Sequence, residues 1–285
     1  MAEQVTNGIF LINKHAGVTS RRIDNLVMKK FNLKKVGHLG TLDPLATGLL
    51  IVAVNEATKT LPFYEDAPKT YEATFKFGLL TSTLDLEGEV LEEEEVTEIP
   101  LGALESAIAK FRGVIKQTPP IASALKVDGK RLYEYAREGQ TVKIKAREVE
   151  VYELELLDYT FPTFKIRAKV SKGTYIRTLG QDIAQALGTN ATTVTLERTH
   201  VGKYSVSDAN SFENLTINDL KAVDLLLEAM PKISVSAAEV PLITNGRAYK
   251  HENKGNFVTI YYAERLLAIY EWKNAMYYAK RGFNL

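Results

Sequence analysis

Residues 37–48 read GHLGTLDPLATG, and the apolar run LLIVAV follows at residues 49–54. The run predicts a buried strand. A glycine-rich loop that carries an acid, here Asp43, and continues into a rigid strand is a common way to present a catalytic group. A second interpretation is open at this point. Asp43 before Pro44 is also typical of a helix start, with Asp as the N-cap and Pro at the first helical position.

The composition is that of an ordinary globular protein with one large domain, or one large and one small. Of its 285 residues, 45% are hydrophobic and 25% are charged, and none is cysteine. The lack of cysteine excludes disulfides, cysteine-ligated zinc and thiol nucleophiles. The four histidines have no metal-like spacing, so we expect no metal site. Neither a signal peptide nor a membrane-length apolar run is evident, and we expect a soluble, cytoplasmic protein.

The charges are segregated although the formal net charge is only +1. Residues 14–38 hold seven Lys or Arg and one acid, and basic residues also dominate 126–147 and 165–203. Eight acids stand between Asp85 and Glu98, without a Lys or Arg among them. Such a distribution favours an anionic partner on one face. The alternative is that these are ordinary solvated surfaces.

Hydrophobic periodicity predicts an α+β fold around a mixed, mainly antiparallel sheet. Alternation in the strand period places Tyr71, Ala73, Phe75 and Phe77 on one face of a strand. We expect Glu92–Glu95 to lie in a solvated loop. Strands are predicted at 8–13, 49–54, 69–77, 148–157, 164–171 and 192–198, and helices at 20–31, 100–111, 131–138, 174–187 and 214–230.

The sequence changes character after about Pro231. Nine aromatic residues stand between Tyr249 and the last residue. Three runs, 257–262, 266–271 and 275–279, are separated by short turns and predict a three-strand meander. We therefore divide the chain into a large domain, residues 1–231, and a small β-rich domain, residues 232–285.

Further segments extend the pattern around residues 37–48. Together they resemble the TruB family of tRNA pseudouridine-55 synthases, in order over roughly residues 8–204. The segments are Asn13-Lys14, Lys69-Thr70-Tyr71, Lys172-Gly173-Thr174-Tyr175-Ile176-Arg177 and Leu196-Glu197-Arg198-Thr199, with support from Glu56-Ala57-Thr58-Lys59, Ser123-Ala124-Leu125-Lys126 and the stretch from Gly129 to Arg137.

This resemblance implies a pseudouridine-synthase fold for the large domain and an isomerase activity that needs no cofactor. The glycosidic bond of one uridine in RNA moves from N1 to C5 of the base. The last 54 residues, 232–285, resemble a short PUA-type RNA-binding domain. The implied partner is the T-arm stem-loop of tRNA, with no protein partner required, no membrane and a monomeric enzyme.

The resemblance also implies residue roles. Asp43 matches the catalytic aspartate, as a nucleophile or as a base, and must be ionised. Arg177 matches an arginine whose charge would favour that ionised form; the alternative is a structural arginine on a helix. Tyr71 matches the active-site tyrosine, which stacks on an extruded base; the alternative is a core aromatic. Tyr175 and Leu196 are expected in the pocket wall.

Four more residues complete the expected site. His38 matches a histidine that helps to extrude the base; the alternative is a loop-ordering histidine. Lys14 is expected to order the catalytic loop or neutralise charge, with a plain phosphate contact as the alternative. Asp85 and Lys172 are expected as further contacts of the pocket.

The chain departs from the family's usual pattern at two positions. His15 stands where proline usually follows the lysine of the first motif, and Ser82 replaces the first acid of a Thr-Asp-Thr-x-Asp pattern. Two other functions stay open at this point. One is a guide-dependent, dyskerin-like synthase, and the other is a non-catalytic protein that binds or folds RNA.

Overall fold

A computed structural model describes residues 7–123, 125–140 and 142–285, and gives the backbone alone for Tyr133, Ala136 and Arg137. Two parts of the predictions lie outside the described residues: Ala124, which belongs to the segment Ser123-Ala124-Leu125-Lys126, and residues 1–6 of the predicted large domain. The helices are α1 Ser20–Lys30, α2 Leu101–Ala109, α3 Leu132–Arg137, α4 Ile176–Gln185 and α5 Val240–Thr244. The strands are β1 Gly8–Lys14, β2 Val36–Leu39, β3 Thr47–Val54, β4 Lys69–Phe77, β5 Leu79–Thr81, β6 Val90–Glu93, β7 Gly113–Gln117, β8 Lys126–Val127, β9 Lys130–Arg131, β10 Arg147–Thr160, β11 Thr163–Val170, β12 Ala191–Val201, β13 Tyr204–Ser205, β14 Asn210–Ser211, β15 Lys232–Ser234, β16 Phe257–Tyr262, β17 Arg265–Lys273 and β18 Met276–Gly282.

One large sheet organises the described part of the chain up to β14. Its ten strands run in the order β14-β1-β3-β12-β4-β11-β10-β7, with β2 paired to β3 and β13 paired to β12. The pairs β1–β14 and β3–β12 are parallel, and the other pairs are antiparallel. The predicted mixed, mainly antiparallel sheet is therefore confirmed.

The apolar stripe predicted on β4 faces the main core. Ala73, Phe75 and Phe77 are buried there, and Tyr71, at the near end of the stripe, is partly buried. Helix α4 covers this face so closely that a Cβ placed on Gly180 would lie 2.0 Å from Cε1 of Phe75. The missing side chain of Gly180 thus sets the distance between α4 and the sheet.

The expected helix over 214–230 is wrong. This segment forms two short 3-10 turns, Ile217–Asp219 and Leu225–Leu227, joined by extended chain. Lys221 exchanges two backbone hydrogen bonds with Ile9 of β1, at 3.0 and 2.9 Å. A Cβ on Gly8 would lie 2.4 Å from the Lys221 carbonyl, so glycine permits this approach. Pairing with a distant strand therefore overrides the local helical pattern.

The acidic run Glu92–Glu95 is the predicted loop only in its second half, because Glu92 and Glu93 lie in a strand. Residues Val90–Glu93 form β6, which pairs with β5. Glu94 continues the contact, because its backbone N–H donates to the Gly78 carbonyl and its carboxylate accepts a bond from the Thr189 hydroxyl. The prediction of solvent exposure is correct for the whole run Glu92–Glu95, whose four residues are all exposed.

The last strands form a separate four-stranded sheet in the order β15-β16-β17-β18. It contains the predicted three-strand meander and adds β15, which pairs parallel to β16. The division at residues 231 and 232 stays a prediction, although β15 begins at that point. Across the described residues, no helix is long and apolar enough to span a membrane.

A seam joins the two sheets beside β3. The Lys59 ammonium donates to the Gly282 carbonyl at 2.8 Å, and the backbone N–H of Asn284 donates to the Glu56 carboxylate at 2.8 Å. The Tyr261 hydroxyl donates to the Asp224 carboxylate. Apolar residues from both sides fill the space between them, among them Leu227, Tyr261, Leu266, Ile269 and Phe283, with Phe63 and Met230 packed against them.

Two glycine-to-alanine substitutions on helices should have opposite effects on stability. We expect Gly180→Ala to lower the free energy of unfolding by about 1–3 kcal/mol, because the new methyl group overlaps Phe75. In Gly102→Ala on α2, no atom lies within 4 Å of the new Cβ, and we expect a gain of about 0.5–1 kcal/mol. Chemical denaturation of both variants checks this pair, and a stable Gly180→Ala protein would contradict it.

Candidate active site

The Asp43 loop is fixed where β3 meets β12. The two strands pair parallel over only two residues of each, with Arg198 opposite Gly48. Gly48 has a φ of +98°, and a Cβ there would lie 2.3 Å from the Arg198 carbonyl oxygen. Only glycine allows this approach, so residue 48 determines where the preceding loop leaves the sheet. The loop does not start a helix at Asp43, and that interpretation is wrong; the run 49–54 lies in β3 as predicted.

Asp43 and Arg177 form an ion pair at the centre of the candidate site. Nε of Arg177 lies 3.0 Å from Oδ2 of Asp43. The Arg177 side chain is 4% exposed, whereas that of Asp43 is 36% exposed and faces a pocket. The carboxylate is thus held from behind by a buried cation and is open on its other side.

Opposing effects act on the protonation of Asp43. Burial raises the pKa of its carboxyl group above the ordinary value of 3.8, and the Asp85 charge raises it further. The Arg177 guanidinium lowers this pKa by charge and by hydrogen bonding, and Lys14 lowers it by charge. The net effect of these contributions is a pKa of Asp43 above 3.8.

Arg177 is also bound on its far side. Nη1 contacts the Asp85 carboxylate at 3.0 Å and donates to the Thr83 carbonyl, and Nη2 donates to the Ala122 carbonyl at 2.9 Å. Asp85 is itself buried and accepts bonds from the Thr83 hydroxyl and the Glu87 N–H. Asp85 therefore contacts Arg177 and does not line the pocket, which is where it was expected.

The pocket has a volume of about 250 Å³. Five of the predicted site residues line it: Asp43, Tyr71, Tyr175, Arg177 and Leu196. Lys172 also lines it and is paired with Asp66 at an exposed position. Two aromatic side chains and an aliphatic one thus line the pocket beside a carboxylate.

Lys14 and His38 lie outside this pocket lining. The Lys14 ammonium is buried and donates to the carbonyls of His15, Val18 and Pro44 at 3.0, 2.9 and 3.2 Å. Burial lowers the pKa of Lys14 to about 8. Because its three protons are directed at carbonyls, one of them next to Asp43, this geometry favours loop ordering over a phosphate contact.

His38 is held by a carboxylate that the sequence analysis did not single out. Its Nδ1 lies 2.8 Å from Oδ2 of Asp24, which is buried on α1, and its Nε2 lies 3.2 Å from the Thr41 hydroxyl. The imidazole is thereby oriented at the start of the catalytic loop. The unusual His15 is exposed, and Ser82 accepts a bond from the Glu89 N–H at 3.1 Å.

Three residues that shape the site were missed as site residues. Gln117 of β7 accepts from the Tyr175 N–H at 2.7 Å and donates to the Tyr175 carbonyl at 3.0 Å, which fixes that residue before α4. Arg198 and Lys69 line the pocket and are buried. Both stood inside the quoted motifs, and a charged residue in an otherwise buried strand was a signal for them.

The described residues contain no group of three or more His, Asp or Glu side chains that could hold a metal ion. The chemistry that this geometry offers is that of an oriented carboxylate. An ionised Asp43 can act as a nucleophile or a base, and an aromatic pocket can hold a planar base against it.

Comparison with known proteins identifies the family. The sequence model described as TruB family pseudouridylate synthase (N terminal domain) matches residues 28–176. The chain belongs to the TruB family. This match covers more than half of the sequence and includes both Asp43 and Tyr71.

Individual relatives are similar to this chain over most of their own length. The tRNA pseudouridine synthase B of Azoarcus sp. (strain BH72) is 39% identical over 286 residues, covering 98% of this chain and 95% of the relative. That of Ralstonia pickettii (strain 12J) is 46% identical over 254 residues, covering 85% and 79%. A solved structure described as "Structure of H/ACA RNP bound to a substrate RNA containing 2'-deoxyuridine" has a TM-score of 0.72 at 21% identity, over 98% of this chain and 85% of that chain, and shares the fold.

The contact between Gln117 and Tyr175 has a measurable consequence. We expect Gln117→Leu to lower the free energy of unfolding by about 1–3 kcal/mol, because both backbone groups of Tyr175 lose their buried partners. Gln185→Leu, at an exposed position of α4, is the matched control and should stay within about 0.5 kcal/mol of the wild type. Equal effects in urea denaturation would contradict this role for Gln117.

Proposed function

We propose that the protein is a tRNA pseudouridine synthase that converts uridine 55 in the T-loop of tRNA to pseudouridine, without a cofactor. One observation carries this proposal: Asp43 is paired to buried Arg177 at 3.0 Å and faces an aromatic pocket, in a chain of the TruB family. The relatives' names support tRNA as the substrate. The proposed location of the enzyme is the cytoplasm, in agreement with a tRNA substrate.

In the proposed mechanism Asp43 acts on the extruded nucleotide. The uridine leaves its stack and enters the pocket, at a cost of roughly a few kcal/mol that RNA contacts must offset. Ionised Asp43 then attacks the ribose C1′ or removes a proton from C2′, and both routes release the base from its N1 bond. The base turns within the pocket and its C5 bonds to C1′. This step breaks the ester bond to Asp43 in the first route, and in the second it takes place as Asp43 returns its proton to C2′. The proton on C5 is then removed and N1 is protonated, which restores the uracil ring.

The other pocket residues hold the base during this step. The Tyr71 ring stacks on the uracil, and its hydroxyl is a candidate for the proton transfer at C5. Tyr175 and Leu196 form the wall that keeps the released base close to the ribose. Arg177 orients Asp43 and favours its ionised form, and Asp85 in turn orients Arg177.

Three further residues act on the loop and on the RNA. His38, oriented by Asp24, takes part in extruding the base. Lys14 stabilises the Asp43 loop through the Pro44 carbonyl. Lys172 lies at the pocket rim, close enough to the surface to meet the RNA.

Residues 232–285 form the proposed PUA-like RNA-binding domain, and basic residues of the segments 21–35 and 126–147 and of the C-terminal region contact the phosphates of the T-arm. Binding of this kind weakens with salt. The enzyme is proposed to act as a monomer without a guide RNA or protein partner. A guide-dependent synthase and a non-catalytic RNA-binding protein are the competing functions, and turnover on a bare hairpin separates them.

The first experiment is pseudouridine formation on an unmodified T-arm hairpin, with no guide or cofactor. The wild type should turn over. Asp43→Asn should lose turnover while RNA affinity stays within a few-fold, because the amide keeps the shape of the carboxylate and removes its charge. Asp182→Asn on α4, a carboxylate away from the pocket, is the control and should remain active. Hairpin binding without turnover by the wild type would favour one of the competing functions.

The pH dependence tests the role of Arg177. Because only ionised Asp43 is active, kcat/KM should fall as the pH is lowered through the pKa of Asp43, with a midpoint above 3.8. In Arg177→Lys an ammonium replaces the guanidinium that lowers this pKa, so the midpoint should move to higher pH and the maximum rate should fall. An unchanged midpoint and a near-normal rate would remove Arg177 from the catalytic machinery.

A further inference from the structure

Buried cations without carboxylate partners surround the Asp43 pocket. Lys14, Lys69 and Arg198 are 0, 6 and 1% exposed. Within the described ranges, none of them has a carboxylate within 4 Å, although ion pairs are common elsewhere in the chain. A buried charge is costly unless it is paired or fully hydrogen-bonded. Lys14 meets the second condition through its three carbonyls, whereas Lys69 and Arg198 do not.

Of these two buried cations of the pocket, Lys69 has fewer hydrogen-bond acceptors than Arg198. Its ammonium donates to the Glu65 carbonyl at 2.5 Å, which leaves two of its protons without an acceptor in the described part of the chain. Burial lowers the pKa of Lys69 to about 8, and the nearby Arg198 charge contributes to this shift. Two like charges are therefore held together at the first residue of β4, two residues before Tyr71.

Arg198 presents one open side. Nε donates to the Leu49 carbonyl at 2.8 Å and Nη2 donates to the Gly40 carbonyl at 2.9 Å, but Nη1 has no acceptor among the described residues. A Cβ on Gly40 would lie 3.2 Å from Nη1 of Arg198 and 4.0 Å from Cε of Lys69. The missing side chain of Gly40 thus leaves room in which one ligand atom could reach both cations.

We propose that Lys69 and Arg198 form a phosphate subsite that binds a backbone phosphodiester of the RNA next to the extruded uridine. Both residues line the same pocket as Asp43, and Arg198 lies directly opposite Tyr71 in the pairing of β12 with β4. A nucleotide whose base stacks on Tyr71 brings its phosphate close to this cation pair. The subsite rests on the proposed function, because it takes its ligand from the RNA substrate.

Lys69 and Arg198 differ from the other cations that line the pocket in their lack of carboxylate partners. Lys172 is neutralised by Asp66, and Arg177 by Asp43 and Asp85. Lys69 and Arg198 have no carboxylate within 4 Å among the described residues, although the nearby Glu65 and Asp66 charges act on Lys69. A singly charged phosphodiester compensates one of the two charges and accepts hydrogen bonds from both residues.

The experiment compares T-arm hairpins that carry one uncharged methylphosphonate, either 5′ or 3′ of the target uridine. Wild-type protein should lose on the order of 10-fold or more in hairpin affinity and kcat/KM at one of the two positions, because charge-assisted hydrogen bonds are lost. Lys69→Met should be weaker than the wild type on the natural hairpin and nearly insensitive to the same methylphosphonate. Lys76→Met, at a partly exposed position near the other end of β4 and outside the pocket, is the matched control and should behave like the wild type.

Equal methylphosphonate penalties in wild type and Lys69→Met would overturn the subsite. Thermal unfolding without RNA provides a second check. Because Lys69→Met removes a buried charge that has no ion-pair partner, it should not lower Tm. A lowered Tm would mean that Lys69 stabilises the fold and does not serve RNA binding. Affinity is measured beside turnover, so the two proposals fail separately. Lack of turnover by the wild type overturns the proposed function, whereas the phosphate contact is still tested by binding.

Discussion

The guanidinium of Arg177 is the constraint on which the site depends. It is 4% exposed and contacts Asp43, Asp85 and the carbonyls of Thr83 and Ala122. These partners come from separate stretches of the chain, while Arg177 lies in the first turn of α4. Because an unpaired buried guanidinium is costly, all of these stretches must meet around it. The position of Asp43 thus follows from the packing of α4 as much as from its own loop.

The backbone contact between β3 and β12 also determines the position of Asp43. The contact between Gly48 and Arg198 leaves no space for a side chain at residue 48, so the loop and the strand that carries Leu196 are fixed to each other. Arg198 then binds back to Gly40 and Leu49, at both ends of the Asp43 loop. One residue thus fastens the loop through its main chain and its side chain together.

Local sequence patterns predicted the nine described strands of six or more residues and four of the five described helices, because apolar periodicity is a property of neighbouring residues. They failed at 214–230, where bonds to Ile9 decide the conformation, and at the first half of the acidic run, which pairs with β5. The meeting of Asp43, Tyr71 and Arg177 was predicted only from the family resemblance. The roles of Gln117 with Tyr175, 58 residues away, and of Asp24 with His38 depend on tertiary contacts that no local pattern reports. The roles of the individual site residues remain predictions that turnover experiments must test.

The seam between the two sheets bears on how the molecule comes apart. Lys59 and Glu56, directly after β3, bind the backbone of Gly282 and Asn284, and Phe283 is buried among residues of the small sheet and of the 3-10 turns Leu61–Phe63 and Leu225–Leu227. Opening the small sheet would expose the apolar side chains of these turns. Because each side covers apolar surface of the other, we expect the described chain to melt as one cooperative unit.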